Sequence, residues 1–446
     1  MLVNAPLMAA VQLILTALTL EMPGNSPNPR AVEEVRAGTR HVANAAWWGF
    51  NEQDSTESLQ AAINSGAKQV TVPNMTRDWI VRPIKLVGDQ ELVLEPGVLV
   101  TAKRGEYRGK GDSLFTARDV SNLTIRGYGA TVRMQKEDYI VGTLLEEPLS
   151  KRWFGKYDKA EWRMTLSLQG CSNVKLYGLT LRDSGGDGIV LTGGRDLRPC
   201  EDIHIKDVVC DNNYRQGISV INVDGLLVEN SVFKNTWGTP PSSGVDIEPD
   251  SPKERVRDVV FRNCSFEDNY GDGIEVYPLN LSTDSGDVSI LFDNCRVTSR
   301  RGSGIRVSKI TDQGPGGLIE FRNCVVENTV GYGIKVQDKS ADRARVRFVN
   351  CTVRNAARDR NFMGAWAPIW FHLFKSSVTL RLGGVDFVDC TVEDNQDRPV
   401  IVVEETESAF GIFDITGAIT IRNPHGVRTA LGDKQNGVTL NVRRAD

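Results

Sequence analysis

The sequence predicts an all-β fold, one long solenoid of short strands closed by an N-terminal capping helix, and three observations predict it. Gly-aliphatic dipeptides recur on a steady beat, in SGGDGIVL with Gly188, YRQGISVI with Gly217, SSGVDIEP with Gly244, YGDGIEVY with Gly273, GSGIRVSK with Gly304 and GYGIKVQD with Gly333, at spacings of 29, 27, 29, 31 and 29 residues. A second series keeps the same beat: LVENSVF with Ser231, FRNCSF with Cys264, FDNCRV with Cys295, FRNCVV with Cys324, FVNCTV with Cys351 and FVDCTV with Cys390. Within each piece the apolar residues alternate at two, the period of a strand with one face inward, whereas a helix would space them by three and four. Two short strands per period form one coil of a stacked array.

The elements follow in chain order. Residues 1–22 open with MLVNAPLMAAVQLILTALTL, apolar and uncharged until Glu21, which suits a secretory leader and sets an expectation of a secreted or periplasmic protein. The run is too short for a membrane span. Residues 23–52 read as a linker, and residues 53–446 as one domain of capping helix plus coils. The helix is read over 54–67, DSTESLQAAINSGA: Asp54 and Glu57 make a capping-box-like start, Leu59, Ala62 and Ile63 form an apolar stripe, and Gly66 ends it. VTVP, LVLEPGVLVTA and NLTIRGYGATVRM supply early coils, and GVTLNV supplies a late one. Asn230, Asn263, Asn294, Asn323 and Asn350 fall on one column and predict an amide ladder. The cysteines beside them point inward as small buried hydrophobes, for there are no C-x-x-C pairs to hold a metal.

Composition narrows the function classes. Lys plus Arg total 53 against 57 Asp plus Glu, a net charge of −4, so no concentrated basic surface is expected and nucleic acid is excluded as a partner. There is no Walker A loop, HExxH, G-x-S-x-G or Rossmann fingerprint, and the four histidines are scattered at 41, 204, 372 and 425.

On the capping helix with VTVP, on NLTIRGYGATVRM and on the DGI and GI coils with their Asn column, the chain resembles proteins of the pectate-lyase-like superfamily over roughly residues 45–440. The resemblance implies a single-stranded right-handed parallel β-helix and a carbohydrate-active protein. That superfamily is similar across pectin and alginate lyases, polygalacturonase-type hydrolases, epimerases and phage tailspikes, so activity must come from site chemistry.

Counting each repeat Gly as zero, position +1 points inward while +2 and +4 point outward. Position +2 reads Val190, Ser219, Asp246, Glu275, Arg306, Lys335, and position +4 reads Thr192, Ile221, Glu248, Tyr277, Ser308, Gln337. Asp246, Glu248 and Glu275 therefore gather on one solvent-facing wall, with Arg306 and Lys335 further along. Rungs stack ~4.8 Å apart, which leaves either glycosidase carboxylate separation, about 5–5.5 Å or about 6.5–9.5 Å, within reach. Crowding would raise one pKa and leave an acid beside an ionised partner. Acids stacked beside bases are also ordinary cross-strand pairs. Asp187 and Asp272, each just before its Gly, are further candidates. DGI resembles part of the Asn-Thr-Asp-Gly motif of polygalacturonases and GIRV of SGIRVSK their Arg-Ile-Lys segment, but RQGIS stands where that family has paired Asp and no Gly-His-Gly follows. Asp187 and Arg306 stay as candidates without an assigned role.

For substrate grip the candidates are Trp237 ahead of Asp246, Tyr277, Arg215, and Tyr157 and Trp162 in a long insertion over 135–163 that also holds Trp153. The 362–374 insertion, FMGAWAPIWFHLF, is read as packing. No metal ligand set is expected. Three readings stay open: a glycoside hydrolase acting on a polysaccharide or oligosaccharide, a polysaccharide lyase in which carboxylates hold Ca²⁺ and Arg306 or Lys335 abstracts the C5 proton, and a non-catalytic, tailspike-like glycan-binding protein. The oligomeric state is not legible.

Overall fold

The computed structural model describes residues 24–140, 157–158, 160–359, 366–373, 380–404, 411–431, 435–436 and 438–445. The predicted leader and Trp153 lie outside the described residues. Among the described residues twelve short strands stack in chain order into one parallel sheet: β1 (Ile84–Lys85), β2 (Phe115–Arg118), β3 (Leu166–Gln169), β4 (Ile189–Thr192), β5 (Ile218–Val220), β6 (Val245–Ile247), β7 (Ile274–Val276), β8 (Ile305–Ile310), β9 (Ile334–Lys339), β10 (Ile369–His372), β11 (Ile401–Glu404) and β12 (Thr429–Ala430). The others form a 23-stranded sheet that turns a corner, since Ser172–Arg182 pairs with Cys200–Lys206 through its first half and with Val209–Asp211 through its second. Each coil thus crosses three walls.

Alternation at two fills the interior. Ile189, Ile218, Val245, Ile274, Ile305, Ile334, Ile369 and Ile401 stack in register as one buried column. Across the core Phe261, Phe292, Phe321, Phe348 and Phe387 lie face over face, with ring centroids 4.9, 5.2, 5.0 and 5.2 Å apart. The repeat glycines are fixed by space. A Cβ on Gly273 would stand 2.3 Å from Val297 Cγ1 and 2.9 Å from the Gly304 carbonyl of the next coil.

The corner between the two halves of the long sheet needs a left-handed residue, and Asn, which tolerates that conformation, supplies it with φ of +50 to +54° at positions 230, 263, 294, 323 and 350. The expected ladder forms: Asn263 Nδ2 donates to Asn230 (3.3 Å), Asn294 to Asn263 (2.8 Å) and Asn350 to Asn323 (2.8 Å). It breaks once, where Asn323 donates to Asp293 (3.3 Å). A second column went unread in the sequence: Asn212 donates to Asp183 (2.7 Å), Asn235 to Asp211 (2.8 Å) and Asn355 to Asn328 (2.6 Å). All eight cysteines are free and buried; Cys351 Sγ donates to the Phe321 carbonyl of the preceding coil (3.3 Å).

Three expectations need correction. The capping helix α2 spans Thr56–Ile63 with Ser55 as its N-cap, so Glu57 falls one residue short of the capping-box position and pairs with Arg82 instead (2.7 Å). Asp54 accepts from the Thr56 N–H (3.1 Å) and is held by Lys103 (2.7 Å), which ties the helix start to the first coils. The described part of the segment read as a linker, residues 24–52, carries secondary structure of its own. Helix α1 (Pro29–Arg36), capped by Asn28 with Pro29 in its first turn, buries Ala31, Val32 and Val35, and strand Val42–Asn44 pairs with Gln69–Val72 as the first rung. Finally, Ile369–His372 inside the 362–374 segment is an ordinary rung, β10; residues 362–365 and 374 lie outside the described residues. No helix among the described residues is long and apolar enough to cross a membrane.

Candidate active site

Strands β4 to β9 present Val190, Ser219, Asp246, Glu275, Arg306 and Lys335 as one row, residue against residue. A parallel column stands one residue before each repeat Gly, where the amides of Gly188, Gly217, Gly244 and Gly273 bond the carbonyls of Gln216, Ser243, Asp272 and Ser303. This aligns Asp187, Gln216, Ser243 and Asp272 beside the row. The two columns are cross-linked: Gln216 Nε2 donates to Asp246 Oδ2 (2.7 Å) and Ser243 Oγ to Glu275 Oε2 (3.1 Å). Arg306 Nη1 donates to Glu275 Oε1 (2.8 Å) and lies 3.8 Å from Asp272, which itself accepts from the Ser303 amide.

The row is in the expected register, but the expected exposure is wrong. Asp246 and Glu275 retain only 1% and 3% of their accessible surface. Long side chains from neighbouring rungs exclude water from them, Arg306 against Glu275 and the Tyr277 ring (5.8 Å), and Arg215 reaching Glu248 (3.6 Å). Glu248 is the most open of the three acids, with 31% of its side chain exposed. It lines a cavity of about 530 Å³ together with Asp187, Arg215, Glu161, Trp162 and Asp250.

Burial in low dielectric disfavours charge on all four acids. Asp246 is driven well above its usual range by burial, then by the charges of Glu275 and Glu248. Among the described residues no N–H or O–H donates to its buried Oδ1, the place for a retained proton shared with the adjoining Glu248 carboxylate. Burial raises Glu275 to about 7 against the pull of Arg306. Burial also raises Glu248, opposed by Arg215 and by the adjoining Asp246 carboxyl. Asp187 is pushed up to about 6 by burial, against Arg215 and the Ser219 hydroxyl. A raised acid favours the folded state only below its unfolded pKa, and that advantage fades as pH rises through the folded value. Asp187→Asn is therefore expected to stabilise the protein at pH 8 by about 3 kcal/mol and to change it little near pH 4. Thermal unfolding at the two pH values checks it; a stabilisation equal at both would refute the buried-acid assignment.

Other candidates part company. Trp162 is 51% exposed at the cavity. Tyr157 is buried, with its hydroxyl accepting from the Gly105 amide (2.8 Å) and its ring 5.0 Å from Tyr139, so it packs on the body of the protein and does not face a ligand. Trp237 is likewise turned away from Asp246. It packs on the core, donates to Asn212 Oδ1 (3.0 Å) and carries Lys136 Nζ 4.6 Å from its ring centroid. Lys335 Nζ lies 5.2 Å from the Trp370 ring, further along the row. Among the described residues no group of three or more His, Cys, Asp or Glu side chains is placed to hold a metal ion, so the Ca²⁺ of the lyase reading has no donor set there. Sequence reasoning missed Gln216 and Ser243, although both occupy the pre-glycine position already noted for Asp187 and Asp272. It also missed Glu161, which carries no repeat signal.

Residues 162–285 and 284–367 match the family model of the right handed beta helix region. The chain is 25% identical over 264 residues to the uncharacterised protein YclG of Bacillus subtilis (strain 168), covering 52% of this chain and 43% of that protein, so it spans less than half the length of that relative. Among solved structures it is similar to the A-module of mannuronan C-5 epimerase AlgE6 of Azotobacter vinelandii, with a TM-score of 0.64 at 14% identity over 91% of this chain and 99% of that one. It is also similar to the family 28 exopolygalacturonase of Yersinia enterocolitica, with a TM-score of 0.56 at 15% identity over 90% and 78%. At such identities the likeness is one of fold. Parallel coils in register, corner asparagines and these matches together make the chain a right-handed parallel β-helix protein.

Proposed function

We propose that this protein is a polysaccharide-cleaving glycoside hydrolase. The observation that carries the reading is that Asp187 and Glu248, both held above the usual carboxylate range by burial against the pull of Arg215, line one 530 Å³ cavity with Arg215 and the exposed ring of Trp162. Asp187, which has no exposed surface but, unlike Asp246 and Glu275, forms part of the cavity wall, serves as the general acid toward the leaving oxygen. Glu248, steadied as a carboxylate by Arg215 at 3.6 Å, serves as base or nucleophile. Asp246 and Glu275 lie beneath as positioning residues that hold protons and keep the charge on Glu248. Trp162 offers a face for a sugar ring. The likeness to a polygalacturonase fold supports a glycan substrate, and such a polymer fits export of the protein. Elimination is less well supported, because Arg306 is bonded to Glu275, Lys335 lies against Trp370, and neither lines the cavity.

The test is a panel of neutral and acidic polysaccharides with two readouts, new reducing ends and the absorbance of unsaturated uronates. Hydrolysis gives reducing ends without the unsaturated product. Unsaturated product would replace hydrolysis by elimination, and binding without any cleavage would make the protein a glycan-binding module.

A further inference from the structure

Beyond the carboxylates, the wall built by β1 to β5 continues toward the N-terminal end as one groove. Lys85, Thr116 and Ser167 follow one another in register, and Arg118 stands against Gln169 and donates to its Oε1 (2.6 Å). A second cavity of about 420 Å³ lies over these rungs, lined by Lys85, Thr116 and Arg118. It shares Gly111 and Ser113 with the 530 Å³ cavity of the active site, so the two are continuous. Through Pro83, Lys85 and Asp112 it opens into a third, of about 760 Å³, which reaches Gln60 of α2 and Asn64 just past its end.

Charge divides along this groove. Its active-site end is lined by Glu161, Asp187, Glu248 and Asp250 around the single cation Arg215. In the 420 Å³ cavity over Lys85 and Arg118 the only lining carboxylate is Asp112, whose Oδ2 is taken by the Gly109 amide (2.6 Å), and the third cavity beyond sets Glu57 and Glu106 against Arg82 and Arg108. Among the described residues neither Lys85 nor Arg118 has a carboxylate within ion-pair distance, although most arginines of the outer walls have one. Two cations without a carboxylate partner on a groove floor attract anions, and they are separated from Glu248 by the rungs of β3 to β5, each ~4.8 Å from the next.

We propose that Lys85 and Arg118 form a remote subsite for the acid groups of an anionic polysaccharide, whose chain lies along the helix axis with its cleaved linkage at Glu248 and its charged units several rungs toward the N-terminal end. The proposal rests on the glycanase reading for the position of the cleaved linkage. It makes the substrate a polymer long enough to span five rungs, and it separates charge recognition from the reaction centre, where further carboxylates would repel it.

The experiment measures binding calorimetrically on the Glu248→Gln protein, using oligogalacturonates of increasing length and the same oligomers with their carboxyls reduced to hydroxymethyl groups. Lys85→Ala with Arg118→Ala is expected to weaken long acidic oligomers at least tenfold, to flatten the salt dependence of their binding, and to leave reduced oligomers and acidic oligomers too short to reach β1 unchanged. Equal losses for acidic and reduced oligomers, or no loss for either, would overturn the subsite. Charge- and length-dependent binding by a protein that cleaves nothing in the panel would retain the subsite and remove the hydrolase reading; cleavage with binding indifferent to Lys85 and Arg118 would do the reverse.

Discussion

Glu248→Gln is expected to lower kcat about 10²–10⁴-fold, the range general acid–base groups contribute, with a much smaller change in KM. Glu248 reaches the cavity from the repeat row beside Asp246 and has the Arg215 guanidinium at 3.6 Å to hold its charge, a guanidinium it shares with Glu161, also at 3.6 Å. Glutamine keeps its shape and loses only the ability to take a proton or form a bond to the sugar. The same change should reach Asp246, whose pKa is held up by burial and then by the charges of Glu275 and Glu248. With one charge gone, Asp246 ionises at lower pH, so residual activity should show a shifted pH profile as well as a lower maximum. Glu275→Gln leaves the cavity lining untouched and should cost less. A Glu248→Gln protein that kept more than about a tenth of wild-type kcat would show that the acids serve the fold and not the reaction.

The site was only half legible in the sequence, and the reason is geometric. Register follows from the repeat, so the row Ser219, Asp246, Glu275, Arg306 came directly from counting outward positions. Depth does not follow from the repeat. It depends on how far Arg215 and Arg306 reach across neighbouring coils and on where the segment around Glu161 and Trp162 settles, and neither has a period. Aromatic residues failed for the same reason: Tyr157, Trp162 and Trp237 look alike in sequence, yet one bonds the Gly105 amide, one is open at the cavity, and one donates to Asn212 at the far corner. The coils themselves were legible because each carries its own corner Asn and its own Gly where the next coil approaches. The first rung was not, since Pro29–Arg36 caps the stack once and repeats nothing.

Phe321→Ala is expected to destabilise the protein by about 3–5 kcal/mol, with Phe321→Leu costing markedly less. Phe321 is fully buried and stacked on both sides, 5.2 Å from Phe292 and 5.0 Å from Phe348, with interplanar angles of 7° and 11°. Truncation removes the transfer energy of the ring and leaves a cavity that the neighbours cannot close, because Phe292 and Phe348 are pinned in register by Val288–Asp293 and Arg345–Val349 on either side. The loss appears as a lower denaturation midpoint; a fall in m as well would mean that the coils on the two sides of the gap unfold separately, as a stack of nearest-neighbour units allows. The strand Gly317–Arg322 lies between β8 and β9, on the C-terminal side of the rungs that carry Asp187 and Glu248. Well below its unfolding transition the variant should therefore keep its kcat, because the row at the site is set by β4 to β7, and their register rests on Phe233, Phe261 and Phe266 instead. A Phe321→Ala protein that lost activity in proportion to stability, while still folded, would mean that register at the acids is transmitted through the whole column of rings.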